Sequence, residues 1–298
     1  VSGRFSSSNP NLQQVPSRHF EIKSLIRGLF IPEEGCQWGS FDYSAQEPRW
    51  LMHYASLTPA TRDNEKVQEI VDLYQKDDLD FHQLVADMAN VERNHAKTIN
   101  LGIMYGMGIG KLAQTLGDIP FEEAKSLRNE YDEKVPFIRG LASSVMDTAS
   151  KRTEIRTLLG RKCRFPMREL KGYSKERKAP IHVDRLEERW RDVLNTPVED
   201  RDKNWKSLDP DRYQVAFVYK ALNRLIQASA ADQTKQAMKD CMDRGHWPML
   251  TVHDELCFSI ESDEQVEEIR SLMENCAPGL TIPSKVDVGL GENWGSAK

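Results

Sequence analysis

Two short segments far apart in the chain contain carboxylates at positions where a metal ion could bind. Asp42 ends an apolar stretch just before a predicted helix, and Asp254 lies in the run His253-Asp254-Glu255 between two apolar segments. Mg²⁺ takes oxygen ligands in proteins, commonly one or two carboxylates together with substrate phosphates. If Asp42 and Asp254 meet across a sheet, they can hold two ions ~3.5–4 Å apart, the arrangement used for in-line phosphoryl transfer.

A third segment places cations and an aromatic residue at four-residue intervals: Arg93, Lys97, Leu101 and Tyr105. On a helix this spacing puts the side chains on one slowly drifting stripe. The stripe is ~18 Å long at the standard helical rise, which is about the reach of a nucleoside triphosphate. Cations neutralise phosphates, and an aromatic ring can stack on a base. The cations also lack the acidic i,i+4 partners of a solvated face, since Glu92 is the only acid nearby.

Each segment also has an ordinary structural interpretation. An Asp at position 42 can simply cap the helix that follows, and on this segment alone that interpretation is favoured. The segment 93–105 can be an amphipathic helix with a charged face, which is supported about equally. The run 253–255 can be the tip of a hairpin, which is polar in most proteins. The residues taken separately therefore leave the function open.

Composition describes a folded chain without membrane or secretion signals. With 298 residues, 39% of them hydrophobic, and a mean hydropathy of -0.61, the chain can bury the core of one large domain or two small ones. No apolar run approaches the ~18 residues of a membrane span, and the polar, Ser-rich start does not resemble a signal peptide. We therefore expect a cytoplasmic protein that does not associate with membranes.

Net charge and cysteine content exclude little. The net charge of -5 argues only weakly against a nucleic-acid binder, because bulk charge can hide a local basic stripe such as the one at Arg93 and Lys97. Five cysteines are scattered without CxxC spacing. Neither a disulfide framework nor a zinc ribbon is expected, and reduced thiols in an intracellular compartment fit best.

The order of predicted elements indicates an α+β domain with a helical subdomain inserted around residues 60–150. Residues 1–20 are predicted to be irregular. Strands are predicted over 36–43 and 285–288, with a hairpin within 249–260 that turns at 253–254. Helices are predicted over 45–54 (with Ser44 as the N-cap), 64–75, 81–91, 93–105, 111–116, 121–134, 137–151, 214–244 and 263–276.

One stretch differs in composition from the rest of the chain. The segment 171–213 has eleven basic and ten acidic residues and few aliphatic ones. The near balance of charge favours a solvated insertion over a nucleic-acid patch.

Seven segments, which span the chain in order, resemble the conserved motifs of family A DNA polymerases. SFDYSAQEPR (40–49) is similar to motif A, RNHAKTINLGIMYG (93–106) to motif B, and TVHDEL (251–256) to motif C. The other four are GRFSSSNPNLQQVP, TLLGRKCRFP, LNRLIQASAADQTKQAM and VDVGLGENW. Chance agreement of all seven is implausible. YKALNRLIQ adds a weaker resemblance to phage members of the family.

The resemblance implies the α+β right-hand fold of these polymerases. Residues 1–60 and 151–298 would form the palm, an antiparallel sheet with helices, which includes the charged insertion 171–213. Residues 61–150 would form the helical fingers and contain the motif B helix 93–106. The thumb and exonuclease domain of the family lie before the GRFSS segment, so we expect them to be absent from this chain and supplied by another polypeptide.

The resemblance also implies roles for individual residues. Asp42 and Asp254 would be the catalytic metal-binding carboxylates, with the Tyr43 carbonyl as a further ligand and Glu255 as a supporting acid. Glu47 would be the steric gate against a ribose 2′-OH. The triphosphate would be held by Arg93, by the catalytic Lys97 and by His82. Leu101, where many relatives have Phe or Tyr, would face the sugar. DNA would contact Tyr105, Gly106, His253, Arg4, Asn223 and Gln227.

The implied activity is DNA-directed DNA synthesis. A primer 3′-OH would be extended with dNTPs on primer–template DNA, with two Mg²⁺ ions (or Mn²⁺) and release of pyrophosphate, in replication or repair, in a bacterium or a virus-infected host cell. Two alternatives are a catalytically impaired DNA-binding subunit of a split polymerase and a relative of single-subunit RNA polymerases. Glu47 and the HDE form of motif C argue against the RNA polymerase. The retained Asp42, Asp254, Arg93, Lys97 and Tyr105 argue against an impaired site.

Overall fold

The computed structural model describes residues 2–16, 20–76, 79–89, 92–104, 107–172, 179–203 and 205–297. The helices are α1 (Phe20–Arg27), α2 (Gln46–Leu57), α3 (Glu65–Lys76), α4 (Phe81–Ala89), α5 (Arg93–Met104), α6 (Ile109–Thr115), α7 (Phe121–Lys134), α8 (Pro136–Arg152), α9 (Val183–Asn195), α10 (Ala221–Asp243) and α11 (Asp263–Asn275). The strands are β1 (Gln37–Tyr43), β2 (Glu154–Arg156), β3 (Lys162–Arg164), β4 (Met167–Leu170), β5 (Ile181–His182), β6 (Tyr213–Val215), β7 (Leu250–Val252), β8 (Glu255–Ile260) and β9 (Val286–Gly291). No helix in these ranges is long and apolar enough to cross a membrane.

The centre of the fold is a four-stranded antiparallel sheet in the order β7-β8-β1-β9. Successive side chains of a strand point to opposite faces. Phe41 and Tyr43 of β1 therefore share one face, where they pack against α10 and α11. Trp38 lies on the other face with Trp294, and Asp42 shares that face by alternation. Asp42 thus lies on the face of β1 opposite the core that contains Phe41 and Tyr43.

The helical part packs around one large core that also includes α10. Buried side chains from α2 to α5, α7, α8 and α10 meet there, among them Trp50, Ile70, Phe81, Ile99, Tyr131, Phe137, Leu222 and Ile226. Because one core joins these helices, the motif B helix α5 is fixed against the same framework that carries α10.

The predicted α+β order is confirmed, and its helices between residues 46 and 152 lie within a few residues of the predictions. Ser44 is not the N-cap of α2. The cap position is Ala45, which has a left-handed backbone (φ 50°) and no side-chain cap. The residue type predicted Ser as the cap, but the chain turns sharply one residue later, and the backbone N–H of Ser44 is bonded to the carbonyl of Lys285 (2.9 Å).

The helix predicted over 214–244 begins later than expected, at Ala221. Residues 213–215 instead form β6, which pairs with β4 in the sheet β5-β4-β6. Phe217 has a positive φ of 62°, so the backbone cannot continue as one helix through this point. The short strands β2–β6 have no clear period in sequence, and they were not predicted. The helix α1 was not predicted either, although Ile22, Leu25 and Ile26 have helical spacing.

The segment 171–213 is well solvated, as predicted, and it also contains ordered elements. Leu186 is its one buried residue among those that the structure describes. Trp190 of α9 stacks on Trp205 (5.9 Å between ring centroids), and the guanidinium of Arg201 lies 4.8 Å from the Trp205 ring. Aromatic stacking therefore substitutes for the missing aliphatic core of this segment.

A buried histidine lies where α2 meets the loop before β9. His53 is 1% exposed, and its Nδ1 accepts a hydrogen bond from the backbone N–H of Thr281 (3.1 Å). Nδ1 is also 3.0 Å from the Thr281 hydroxyl. Burial lowers the pKa of His53 from 6.5 to about 4. Protonation at Nδ1 would end the bond from Thr281 and create a buried charge.

The protein is expected to lose stability as the pH falls from about 6.5 towards 4, because the unfolded chain then binds a proton at His53 that the folded chain does not. The full effect is about 3 kcal/mol in the free energy of unfolding. Urea titrations of the wild type and of His53→Asn, at pH values from 7.5 to 4.5, measure it. The variant keeps an acceptor for Thr281 but has no group that titrates in this range. The difference in the free energy of unfolding between wild type and variant should therefore become smaller as the pH falls. If this difference stays constant with pH, His53 is not the source of the pH dependence.

Candidate active site

The central sheet brings the two predicted carboxylate segments together. Asp42 lies near the end of β1, directly opposite Glu255 of β8 on one side and Asp287 of β9 on the other. Residues paired across antiparallel strands point to the same face. Asp254 lies in the turn that joins β7 to β8, one residue before Glu255. The hairpin β7–β8 thus places Asp254 and Glu255 beside the strand that carries Asp42.

Asp254 lies in a charged and largely buried environment. Burial raises the pKa of its carboxyl group, and the carboxylates of Glu47 and Glu255 raise it further, whereas Arg4 opposes the shift. Because this site contains more carboxylates than cations, it attracts a positively charged ion.

The turn that carries Asp254 is held by a residue from the start of the chain. Gln13 donates from Nε2 to the carbonyl of Thr251 (2.9 Å), and its Oε1 accepts from the backbone N–H of His253 (3.0 Å). His253 has a positive φ of 56°, which is uncommon outside Gly. Gln13 therefore clamps a strained turn. Sequence analysis missed it as a site residue, although it lies in the quoted segment GRFSSSNPNLQQVP.

The first turn of α2 is fixed against α10. Gln46 is buried, and its Nε2 lies within 3.3 Å of the Ala230 carbonyl and within 3.2 Å of acceptors on both Gln233 and Thr234. The next residue, Glu47, forms an ion pair with Arg4. Gln46 thus positions the predicted gate residue, and it is a second residue that sequence analysis did not single out.

A small cleft lies at this meeting point. Arg4, His253 and Asp254 line it together with residues of α10 that include Ala231 and Lys235. Asn223 and Gln227, both partly buried, lie two turns and one turn before Ala231 along α10, at i,i+4 spacing. The predicted DNA contacts on α10 therefore form one stripe that leads to the cleft.

The predicted phosphate-binding residues lie together on α4 and α5. Arg93 donates to Asp80 (Nε–Oδ2 2.8 Å, Nη2–Oδ2 2.7 Å). Lys97 is exposed one turn further along α5. Burial lowers the pKa of His82, the charges of Lys97 and Arg93 lower it further, and Asp80 opposes them. At neutral pH His82 is therefore uncharged, and the two neighbouring cations are the ones that can meet phosphates.

The opposite side of α5 is anchored by a buried amide. Asn100 accepts a hydrogen bond from the hydroxyl of Tyr131 on α7, and its Nδ2 lies 3.3 Å from Nδ1 of His82. Burial raises the pKa of Tyr131 well above its ordinary value, so the hydroxyl stays a donor. Asn100 thus links α4, α5 and α7, and no feature of its spacing had marked it.

The remaining predicted residues are placed as follows. The ring of Tyr43 is buried, and its hydroxyl donates to the carbonyl of Met273 (2.7 Å), so only its backbone is available for the predicted ligand role. Leu101 belongs to α5, but its side chain is not among those that the structure describes. Tyr105 and Gly106 are also outside them.

The residues present fit a divalent cation that shares its coordination with a substrate. Asp42 and Asp254 supply the oxygen ligands that Mg²⁺ prefers. Among the described residues, no group of three or more His, Cys, Asp or Glu side chains is arranged to hold a metal ion by itself. Two carboxylates completed by substrate phosphates and water are the usual Mg²⁺ arrangement in enzymes that use phosphorylated substrates.

Fold and site together define a class. An antiparallel sheet collects carboxylates at the ends of adjoining strands, and an attached helical part carries a cationic cluster. This describes an α+β protein with a candidate metal and phosphate site of the kind used in nucleotidyl transfer.

Comparison with known proteins identifies the family. The profile of DNA polymerase family A matches residues 1–296. A DNA-directed DNA polymerase of Pseudomonas phage M6 is 36% identical over 330 residues, which cover 98% of this chain and 43% of the phage protein. The thermostable DNA polymerase I of Thermus aquaticus is 31% identical over 306 residues, with 100% and 32% covered. The chain belongs to DNA polymerase family A.

A solved structure agrees with this family. The POL domain of Pol1 from M. smegmatis, in complex with DNA primer-template and dNTP, matches with a TM-score of 0.69 and 27% identity, over 99% of this chain and 46% of that chain. The fold predicted from the sequence motifs is thus confirmed at the level of the family's mixed α+β fold. This chain spans less than half the length of the relatives it matches.

Proposed function

We propose that this chain is the catalytic module of a DNA-directed DNA polymerase, which adds deoxynucleotides to a primer 3′-OH on a template and releases pyrophosphate. The observation that carries the proposal is the pairing of Asp42 with Glu255, which puts motif A beside motif C in a family A fold. The M. smegmatis relative, solved with DNA primer-template and dNTP, supports this choice of substrates.

In the proposed mechanism Asp42, Asp254 and the Tyr43 carbonyl would hold two Mg²⁺ ions. When bound, these ions lower the pKa of the attacking hydroxyl and stabilise the charge on the leaving group. Arg93 and Lys97 bind the triphosphate, with His82 beside them, and Lys97 stabilises negative charge as it develops. The chain's own contribution is mainly positioning and electrostatics.

The proposed DNA contacts surround the cleft and α5. Arg4, Asn223 and Gln227 would bind the minor groove of the primer–template duplex, and His253 the primer terminus. Tyr105, beside Gly106, would lie at the templating position, and Leu101 would face the sugar of the incoming nucleotide.

The subdomain assignment is part of the proposal. Residues 1–60 and 151–298 would be the palm and 61–150 the fingers. A thumb and an exonuclease domain would come from polypeptide outside the 298 residues, since the relatives are more than twice as long. Thumb residues add phosphate contacts, so they are expected to raise the salt-sensitive affinity for DNA.

Primer extension by the folded chain alone tests the proposed function. The assay contains a primed template, four dNTPs and Mg²⁺, with EDTA as the metal-free control. We expect slow, metal-dependent extension. If the folded chain fails to extend the primer, the N-terminal part of the phage M6 relative is added. Failure of both reactions would overturn the proposed activity.

Replacing Glu47 by Ala is expected to reduce discrimination between deoxy- and ribonucleotides by about 100-fold, because the side chain of Glu47 would exclude the 2′-OH. The ratio of single-nucleotide incorporation efficiencies for dNTP and rNTP measures the effect. Glu65→Ala is the control, since Glu65 is also a glutamate in the first turn of a helix, α3.

A second variant separates size from charge. Glu47→Gln keeps the size of the side chain but weakens the ion pair with Arg4. If Glu47→Gln loses discrimination as fully as Glu47→Ala, the ion pair is responsible for selectivity and the steric assignment is wrong.

A further inference from the structure

The last aromatic residue of the VDVGLGENW segment contacts the carboxylate group of the proposed site. The indole N–H of Trp294 donates to Oε1 of Glu255 at 3.1 Å. Both side chains are buried, with 0% of Trp294 and 4% of Glu255 exposed. Glu255 follows Asp254 and lies opposite Asp42, so this single hydrogen bond reaches the residue between the two proposed metal ligands.

The Trp294 ring is held from several sides. Phe30 packs edge-on against it at 5.4 Å between centroids, and Trp38 stacks on it at 6.3 Å. The guanidinium of Arg27, itself only 4% exposed, lies 4.1 Å from the ring centroid. The backbone N–H of Trp294 also donates to the carbonyl of Phe30 (3.0 Å). A donor fixed in this way imposes its geometry on the acceptor.

Glu255 is a buried carboxylate with few hydrogen-bond donors among the described residues around it. It is buried, and Asp42 and Asp254 are its neighbours. The second contact of Oε1 is the thiol of Cys257 at 3.7 Å, and a thiol is a weak donor. Burial, followed by the charge of Glu255, raises the pKa of Cys257, so the thiol stays protonated. The indole is therefore the stronger of the two donors to this oxygen.

We propose that Trp294 is a positioning residue of the active site, which fixes the orientation of the Glu255 carboxylate and thereby sets the affinity of the Asp42–Asp254 pair for divalent cations. The inference rests on the proposed function for the identity of the metal site, but it adds a residue that neither the motif roles nor the cleft includes. Removing a direct hydrogen-bond partner of a metal ligand typically changes metal affinity 10- to 100-fold. Trp294 contacts Glu255, which is next to the proposed ligands, so we expect an effect at the lower end of that range.

Trp294→Phe tests the proposal, because it removes the N–H and keeps most of the ring. Mn²⁺ binding to the full 298-residue chain is measured by the loss of the free-ion electron paramagnetic resonance signal. We expect the variant to bind Mn²⁺ about 10-fold more weakly. The Mg²⁺ concentration for half-maximal primer extension should rise by a similar factor, with a smaller effect on the rate at saturating Mg²⁺.

Trp38→Phe is the matched control for packing. Trp38 belongs to the same aromatic cluster, and its indole N–H donates to the hydroxyl of Ser40 (3.1 Å) instead of a carboxylate. We expect it to lower stability to urea about as much as Trp294→Phe and to leave Mn²⁺ affinity unchanged. If both variants lose Mn²⁺ affinity equally, Trp294 acts only by packing in the aromatic cluster, and the proposal is wrong.

A double-mutant cycle with Glu255→Gln shows whether Trp294 acts through Glu255. In the Glu255→Gln background, Trp294→Phe should change Mn²⁺ affinity less than 2-fold. An unchanged 10-fold effect in that background contradicts the proposal. Because the readout is binding, it is independent of catalysis: a chain that shows the expected cycle but never extends a primer refutes the polymerase activity and supports the role of Trp294.

Discussion

Asp254→Asn is expected to lower the rate of single-nucleotide incorporation by about 1,000-fold. The amide keeps the size of the side chain but removes the charge that binds the cation. Burial is the main cause that raises the pKa of Asp254, and the carboxylates of Glu47 and Glu255 add to it. Removing the charge relieves both. The variant should therefore fold at least as stably as the wild type, which separates a chemical defect from a folding defect.

The measurement is rapid-quench incorporation of one dNTP at saturating Mg²⁺ and DNA. Asp287→Asn is the matched control, because Asp287 lies opposite Asp42 on β9, as Glu255 does on β8, but is exposed. We expect less than a 5-fold change for Asp287→Asn, since no motif assigns this residue to the metal. Similar losses of rate in the two variants would mean that the total negative charge of the acids on the neighbouring strands, rather than two specific metal ligands, determines the rate.

The meeting of motifs A and C could be predicted because each element carries a strong local signal. Alternation of apolar residues in 37–43 gives a strand, and the two apolar runs on either side of 253–254 can only turn back on each other. Asp42 and Asp254 are then both at strand ends. The register that puts Glu255, rather than Asp254, directly opposite Asp42 depends on the pleat of the whole sheet. Single-strand patterns do not contain that information.

The residues that position the site were not predictable in the same way. Gln13, Gln46, Asn100 and Trp294 each hold a functional segment through a partner far away in the sequence, such as His253 or Glu255. A buried amide or indole has no periodicity that distinguishes this role from ordinary core packing. Its function becomes visible only when the partner is known, and the partner is fixed by tertiary contacts.

The charged segment 171–213 shows a second limit. Its composition correctly indicated solvation, because charged side chains are rarely buried. The helix α9 does carry a local signal, because Leu186, Trp190 and Val193 follow helical spacing, and the charge balance of the segment drew attention away from it. The strands β5 and β6 have only two and three residues, and they depend on pairing with β4. Strands this short, held by a few long-range contacts, carry little local signal.

Lys97→Ala is expected to lower the efficiency of dNTP incorporation by about 100-fold, because an exposed cation on α5 would no longer meet the triphosphate. Single-turnover titrations with dNTP measure both the rate and the apparent Kd. Lys97→Arg should recover most of the loss, since the charge is kept. Lys111→Ala, an exposed lysine on the neighbouring helix α6, is the control and should change the efficiency less than 3-fold.

The same substitution has a consequence that does not depend on catalysis. Lys97 is one of the cations that lower the pKa of His82, so its removal should raise that pKa, because the imidazolium loses a like-charged neighbour. NMR titration of the His82 ring resonances in Lys97→Ala and in the wild type measures the shift. A raised His82 pKa together with unchanged dNTP efficiency would show that Lys97 lies in the cluster but does not touch the nucleotide. An unchanged pKa together with lost efficiency would remove His82 from the proposed triphosphate site and leave Lys97 in it.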